Sequence, residues 1–257
     1  MLRTRVIPCL LLKGNGLVKT VQFKSPTYIG DPINAVKIFN DKEVDELVFL
    51  DITATSEKRG PNFKLLNEIS TECFMPLGYG GGITSLQEIE KLFNLGIEKV
   101  ILNSSAFHHP KLISEAVHVF GSQSIIASMD VKKGWLSKKQ TVYVNAGSLN
   151  TKISPLEYAK KMEDAGVGEI IVNSIDADGT MLGYDLHLIQ VVSSELKIPV
   201  VALGGAGGLE DLGKAKKAGA SAVAAGSMFV FQKAHRAVLI TYPTQQEMNI
   251  KFNINKY

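Results

Sequence analysis

The chain has 257 residues, a length that a single α/β barrel domain reaches without division. Its hydrophobic content of 45% suffices for a large core, whereas a formal net charge of +3, scattered along the chain, argues against nucleic-acid and membrane-surface binding. The chain has only two cysteines, Cys9 and Cys73, which argues against a disulfide framework and for a reduced, cytoplasmic setting. The N-terminus lacks the apolar core of a signal peptide, and no apolar run reaches the ~18 residues of a membrane span.

Short apolar runs alternate with longer helical patterns along the whole chain. We predict strands near 5–10, 46–51, 76–80, 98–102, 124–130, 169–174, 199–203 and 222–226. We predict helices near 32–43, 60–73, 84–95, 110–119, 154–166, 185–195 and 208–218, with another after 227. Eight strands, each followed by a helix, predict an α/β fold, a closed parallel (βα)8 TIM barrel. An open Rossmann sheet is the alternative, but it would stop near six strands and carry an early Gly-x-Gly-x-x-Gly turn.

The pattern predicts one domain over residues 1–257, with 236–257 as a candidate extended C-terminal tail. Two connections are longer than the rest, residues 11–31 after the first strand and residues 131–152 after the fifth. The second contains an alternating pattern that is typical of a hairpin. Both leave the C-terminal ends of strands, where barrels place their active sites, so we expect both to be functional.

The second half of the sequence repeats features of the first. "YGGGI" at 79–83 matches "LGGAG" at 203–207, and "VILNSS" at 100–105 is answered by "AVAAGS" at 222–227. A twofold repeat of (βα)4 units explains both matches. It also predicts two similar binding sites, one from each half.

In each half of the sequence, one predicted strand ends in glycines and is followed by a predicted helix. We call Gly80–Gly82 with Ser104 the first glycine cup, and Gly204, Gly205 and Ser227 the second. Glycine lets the backbone approach an anion closely, and the N–H groups of a following helix can bind that anion. Tight turns also favour glycine, but two related cups favour a phosphorylated ligand.

Polar residues follow several predicted strands: Asp51, Asn103, Asp130, Asn173, Asp176 and Asp178. Asp130 follows "IIASM" and is predicted to stand at the barrel mouth, either as a general base or hydroxyl-binding group, or as a helix or loop cap. Lys19, in the first long connection, could close over a phosphate or be an ordinary surface lysine. The nearby exit of the first strand, Leu10–Leu12, carries no polar side-chain atom.

Four charged residues lie at predicted strand starts: Arg5, Glu46, Lys99 and Glu169. Together they could form a charged ring over the barrel floor, although composition alone favours an ordinary layer of salt bridges. The histidines, His108, His109, His118, His187 and His235, do not have metal-ligand spacing. We therefore predict no metal.

Over about residues 1–235 the chain resembles the HisF cyclase subunit of imidazole glycerol phosphate synthase. The strings that carry the resemblance are "RVIPCL", "DELVFLDITATSE", "GGGI", "KVILNSSA", "FGSQSII", "GEIIVNSIDADGT", "GYD" and "GGAG". The resemblance implies that a HisH-like glutaminase docks under the barrel floor and releases ammonia. The ammonia would cross a gate of Arg5, Glu46, Lys99 and Glu169 and meet a bisphosphorylated substrate at the top.

The resemblance also implies the residues that contact the substrate, with no cofactor. Phosphate binding would fall to Lys19, Gly82, Asn103, Ser104, Asp178, Gly179, Gly205 and Ser227. The acid–base pair of the family would fall on positions 11 and 130. Asp130 is kept, but position 11 is Leu11, and Asn173 and Leu203 replace the hydroxyl residues that are usual at the rim.

These departures resemble the HisF-like paralogues encoded with surface-polysaccharide (lipopolysaccharide) genes. In those systems an ATP-using amidotransferase converts an acetamido group of a nucleotide-linked sugar to acetamidino, and the HisF-like protein delivers the ammonia. That role is the leading hypothesis. An authentic cyclase of histidine biosynthesis and a non-catalytic phosphate-binding scaffold are the alternatives, so enzymatic activity of the barrel itself stays open at this stage.

Overall fold

A computed structural model describes residues 4–134, 139–232 and 237–252. The strands in these ranges are β1 (Arg5–Lys13), β2 (Gly16–Val21), β3 (Lys24–Gly30), β4 (Leu47–Asp51), β5 (Leu77–Gly80), β6 (Lys99–Leu102), β7 (Ile125–Lys133), β8 (Gln140–Val144), β9 (Leu149–Asn150), β10 (Glu169–Ser174), β11 (Val200–Leu203), β12 (Ala222–Ala225), β13 (Phe231–Gln232) and β14 (Ala237–Val238). The α-helices are α1 (Pro32–Asp41), α2 (Phe63–Glu72), α3 (Leu86–Asn94), α4 (Ser104–His108), α5 (Pro110–Phe120), α6 (Pro155–Asp164), α7 (Leu186–Ser193), α8 (Leu209–Lys217), α9 (Ser227–Val230) and α10 (Gln245–Lys251).

Eight parallel strands close on themselves in the order β1, β4, β5, β6, β7, β10, β11 and β12. The ring is closed by the pairing of β12 with β1 and of β7 with β10. Four of the eight strands, β5, β10, β11 and β12, are buried at every position, and all but β5 are rich in Val, Ile, Leu and Ala, as expected where helices cover one face and the barrel core covers the other. The (βα)8 barrel predicted from the alternating pattern is confirmed.

Local signals fix where several helices begin. Ser85 and Glu88 form a capping box at the start of α3, with the Glu88 N–H donating to Oγ of Ser85 and the Glu88 carboxylate accepting in return. Ser154 caps α6 ahead of Pro155, whose fixed φ suits the first helical position. Each helix then packs an apolar face on the strands, as Ile89 and Leu92 of α3 do.

The two long connections are both built from antiparallel strands. Within 131–152, where residues 135–138 lie outside the described residues, β7 continues past the barrel and pairs with β8, as the hairpin pattern predicted. The first strand, predicted over 5–10, runs on to Lys13, and β2 and β3, which were not predicted, extend the sheet. The reason is a tight turn with a positive φ of 59° at Gly14, which lets Leu17 and Val18 bury their side chains.

Residues beyond the barrel strands also pack on it. β14 pairs with β13, and α10 contacts α8 and buries Met248. Within the predicted tail, 236–257, the described residues thus include a strand and a helix, whereas residue 236, residues 253–257 and the neighbouring His235 lie outside the described residues. No helix among the described residues is long and apolar enough to cross a membrane.

Candidate functional site

A cavity of about 500 Å³ opens at the barrel top, the end at which the C-terminal ends of the barrel strands meet. Its lining includes apolar side chains from three barrel strands, Leu11, Leu50 and Leu203, together with the carboxylate of Asp130. A volume of this size is typical of sites for small molecules. Its position is the one that barrel enzymes use.

The barrel floor, formed by the N-terminal ends of the strands, carries the four predicted charged residues in contact. Arg5 donates to both Glu46 and Glu169. Nζ of Lys99 lies 2.6 Å from Oε2 of Glu46 and 3.5 Å from Oε2 of Glu169. Burial disfavours the charge on Arg5, but the two glutamates outweigh it and raise its pKa. The four side chains thus form a closed ring in which cations and anions alternate; we call it the floor ring.

A second, small cavity of about 10 Å³ lies directly above the floor ring. It is lined by the two ring glutamates and otherwise by interior side chains, Ile7, Cys9, Val48, Ile126, Ile171, Val201, Leu203 and Ala224. This volume is close to the minimum that holds one water molecule, and ammonia has a similar size. Cys9 and Leu203 line both cavities, so the small cavity lies between the floor ring and the large cavity.

Asp130 is held by two asparagine side chains. Nδ2 of Asn173 donates to its Oδ1 at 2.9 Å, and Nδ2 of Asn103 donates to its Oδ2 at 3.0 Å. Burial raises the pKa of Asp130 to about 7, opposed by both hydrogen bonds and assisted by the nearby charge of Asp178. A carboxyl with this pKa can exchange a proton near neutral pH.

Leu11 occupies the rim position on β1 where a second proton-handling group would be needed. It pairs in register with Leu50 of β4 and with Val18 of β2, is half-buried and lines the large cavity. The next charged residue along β1, Lys13, is exposed and does not line the cavity. At position 11 the rim therefore presents an apolar side chain in place of a carboxyl group.

The first glycine cup opens into the cavity. Gly81 and Gly82 have φ of 128° and 71°, and a Cβ atom on Gly82 would collide with the backbone oxygen of Arg59. Only glycine is compatible with this close approach. Oγ of Ser104 accepts from the Asn145 N–H at 2.9 Å, which fixes the hydroxyl at the cavity wall. The cup is backed by Arg59, whose Nη1 lies 2.7 Å from Oδ2 of Asp51.

The second glycine cup has the same backbone geometry but does not open into the cavity. Gly204 and Gly205 have positive φ of 88° and 111°, and they correspond in the structure to Gly81 and Gly82. The match between the sequence strings instead aligned Gly204 with Gly80, one residue earlier. A Cβ atom on Gly205 would collide with the Gly183 carbonyl oxygen, so another loop packs against this cup.

Lys19 lies beside the second cup, in a closed hairpin. Its Nζ donates to the Cys9 carbonyl oxygen at 2.7 Å, and a Cβ atom on Gly226 would collide with it. Burial lowers the pKa of Lys19, opposed by Cys9 and Asp178. The hairpin is fastened to the loop after β10, because Gln22 N–H donates to the Asp178 carbonyl oxygen at 2.9 Å.

Comparison with known proteins identifies the family. Residues 5–235 match the family described as "Histidine biosynthesis protein". The chain is 51% identical over 251 residues to "Putative imidazole glycerol phosphate synthase subunit hisF2" of Pseudomonas aeruginosa, covering 97% of this chain and 100% of that protein. The chain belongs to this family and is HisF-like.

Two further relatives support the same assignment. The chain is 45% identical over 251 residues to the similarly named hisF3 of Vibrio vulnificus, covering 96% of this chain and 95% of that protein. It is 39% identical over 254 residues to "Imidazole glycerol phosphate synthase subunit HisF" of Leptospira biflexa, covering 98% of this chain and 99% of that protein. The similarity spans nearly the whole of each chain.

The structure brings most of the predicted site residues of this HisF-like chain together. Seven line the cavity: Leu11, Lys19, Gly82, Asn103, Ser104, Asp130 and Asp178. Gly179, Gly205 and Ser227 are not among its lining residues; Gly179 is packed against the Thr20 carbonyl oxygen instead. No group of three or more His, Cys, Asp or Glu in the described ranges could hold a metal ion.

Several lining residues were missed by the reasoning from sequence. Lys58, Arg59, His108 and His109 all line the cavity beside the first glycine cup. His109 follows α4 and precedes Pro110, so its position in a loop was visible, but nothing in the spacing indicated the direction of its side chain. Asn173 was noted as a strand exit and as a departure from the hydroxyl residue usual at the rim, but its hydrogen bond to Asp130 depends on the register of β10 against β7.

Proposed function

We propose that this HisF-like chain is the ammonia-conducting subunit of a glutamine amidotransferase and that it has lost the cyclase step. The observation that carries the proposal is a contrast within one barrel. The floor ring is complete and lies below an apolar cavity that adjoins the cavity at the top, whereas the rim has Leu11 where the resemblance places one member of the acid–base pair.

The floor ring supports docking of a HisH-like glutaminase at this end. Burying Glu46 and Glu169, which are 2% and 6% exposed, costs desolvation energy that ion pairing only roughly repays. An apolar floor would be at least as stable, so stability alone does not account for the ring. A gate that a partner opens to admit ammonia does account for it.

The interior supports passage of a neutral molecule. The small cavity above the ring is apolar apart from the ring carboxylates and the Cys9 thiol, whose pKa burial raises to about 12. A neutral thiol carries no charge that would hold ammonium, and an unpaired ammonium ion would pay a large desolvation cost there. Ammonia crosses such a region without that cost.

The side chain of Leu11 at the rim supports the proposal that this chain has lost the cyclisation step. Removing one positioned acid or base typically lowers a rate by ~10²–10⁴-fold, and a leucine cannot transfer a proton. We infer that ammonia leaves the barrel top for an acceptor on another protein. The acceptor is an acetamido group of a nucleotide-linked sugar, amidated by an ATP-dependent amidotransferase; the resemblance of Leu11, Asn173 and Leu203 to the polysaccharide-linked paralogues supports this.

Phosphate binding belongs to the same proposal. Lys19, Gly82, Asn103, Ser104, Asp178, Gly179, Gly205 and Ser227 are the residues proposed to bind a phosphorylated ligand. Of these, Gly82 and Ser104 have the clearest support, because both border the open cavity and the Gly82 backbone is exposed to it.

Reconstitution with a glutaminase tests the conduit. The purified chain is mixed with a HisH-like glutaminase of the same organism, and glutamine hydrolysis is measured with and without the chain. We expect a stable complex and a rise in hydrolysis. Lys99→Met, which breaks the floor ring, should alter the increase in glutamine hydrolysis that the chain causes. Lys64→Ala, on the exposed face of α2, should leave that increase unchanged. Absence of both binding and activation would contradict the proposal.

An authentic cyclase is the second candidate, and the pKa of Asp130 favours it. A carboxyl with a pKa of about 7 at the barrel mouth is suited to acid–base work. Complementation of a histidine auxotroph separates the candidates: growth supports the cyclase, and absence of growth with normal glutaminase activation supports the conduit.

A further inference from the structure

The lining of the large cavity is electrostatically one-sided. Beside the first glycine cup it carries Lys58, Arg59, His108 and His109. Arg59 is paired with Asp51 and Glu57, and His108 contacts Oδ1 of Asn145 at 3.1 Å. The side chains of Lys58 and His109 are exposed and make no hydrogen bond or ion pair to any residue within the described ranges. This side therefore has cationic and N–H groups that are available to a ligand.

The part of the cavity lining on the other side of Asn103 from the first glycine cup is acidic. It carries the carboxylates of Asp130 and Asp178, and one cation, Lys19. The ammonium of Lys19 is already committed to the Cys9 carbonyl oxygen and is 7% exposed. An anion placed here would meet two acidic groups and no available cation.

The hairpin of β2 and β3 is fastened beside this acidic part of the lining. Gln22 is bonded to the loop after β10 through two hydrogen bonds, from its N–H to the Asp178 carbonyl oxygen and from Nε2 to the Asp176 carbonyl oxygen at 2.8 Å. Thr20 adds a hydrogen bond to Oδ2 of Asp178 at 3.3 Å. Moving the hairpin to admit an anion here would require these bonds to break and Lys19 to leave its buried position.

We propose that this cavity binds a ligand with phosphate at one end only, held beside Gly82 by Lys58 and His109. The uncharged end of the ligand lies against Leu11, Leu50 and Leu203. The inference deepens the proposed function, on whose cavity it rests, because the second phosphate of a doubly phosphorylated ligand would have no binding site of its own. Lys58 and His109 become determinants of that specificity.

Paired ligands test the proposal directly. Ribulose 5-phosphate carries one terminal phosphate, and ribulose 1,5-bisphosphate carries one at each end of the same carbon chain. Calorimetric titration of the whole chain should show binding of the monophosphate, with no gain in affinity from the second phosphate. Tighter binding of the bisphosphate by about tenfold or more, or binding of neither ligand at millimolar concentration, would overturn the proposal.

Variants identify the end of the cavity that holds the phosphate. Lys58→Ala and His109→Ala should each weaken monophosphate binding by about three- to tenfold, the range expected for an exposed charged hydrogen bond. Lys64→Ala, an exposed lysine outside the cavity, is the matched control. Unchanged binding in both cavity variants, with circular dichroism as in the natural chain, would contradict the assignment.

These titrations need no glutaminase, so the two proposals fail separately. One-ended binding without glutaminase activation would refute only the conduit. Activation with preferential binding of the bisphosphate would refute only the one-ended cavity.

Discussion

The two ends of this barrel have kept different amounts of their polar chemistry. At the floor, four charged side chains from four strands contact one another in a closed ring. At the top, Asp130 is held by two asparagines, whereas Leu11 presents an apolar surface on β1. The contrast indicates that passage through the barrel and chemistry at its mouth are separable functions of one fold, because each depends on side chains at a different end of the strands.

The largest effect is expected from restoring polarity at the rim. Leu11→Asp would place a carboxylate in the cavity that Asp130 lines, and ammonia-dependent cyclase activity should rise by about 10²-fold or more. Activity is measured with ammonium salt and the bisphosphorylated substrate of the family. Leu11→Asn, of similar size but unable to exchange a proton, is the control, and an equal gain in both variants would contradict the explanation.

Breaking the floor should have the next largest effect, on stability. Arg5→Ala leaves the buried Glu46 and Glu169 with Lys99 as their remaining cation, and we expect the free energy of unfolding to fall by about 3 kcal/mol. Urea denaturation measures this change. Lys160→Ala, which removes an exposed ion pair with Glu195, should cost less than about 1 kcal/mol. A similar cost for the two variants would mean that the ring is not a coupled unit.

Asp130 should make stability fall as pH rises. Its folded pKa of about 7 lies above its ordinary value, so between about pH 4 and pH 7 the folded chain retains a proton that the unfolded chain has lost. Stability is therefore lost across this window, by at most about 4 kcal/mol. Asp130→Asn should flatten this part of the pH profile, and an unchanged slope would show that Asp130 is ionised throughout.

The smallest effect is expected from removing one of the two asparagine side chains that bind Asp130. Because the hydrogen bond from Asn173 favours the ionised form of Asp130, Asn173→Ala should raise the pKa of Asp130 further, by about one unit. Carbon-13 NMR of the Asp130 carboxyl across a pH titration reports this shift. A lowered pKa in the variant would mean that water entering the cavity outweighs the lost hydrogen bond.

The fold could be predicted because barrel strands that are buried on both faces appear as continuous apolar runs. The hairpin of β2 and β3 was not predicted, since its register depends on Gly14 and on pairing with the end of β1. The floor ring was proposed from four strand starts, and their mutual contact follows from the parallel register of the barrel. The position of Lys19 beside Gly226 depends on how the hairpin packs and has no signal in the residues of the second glycine cup.

Assay of the unmodified chain for cyclase activity tests the central claim most directly. Supplying ammonium salt and a saturating concentration of the bisphosphorylated substrate removes any need for a glutaminase, so the result reports on the barrel alone. The account predicts no measurable turnover, with glutaminase activation retained in a parallel assay. Turnover near the ~10 s⁻¹ of a median enzyme would contradict it, because a rim with Leu11 would then suffice for cyclisation.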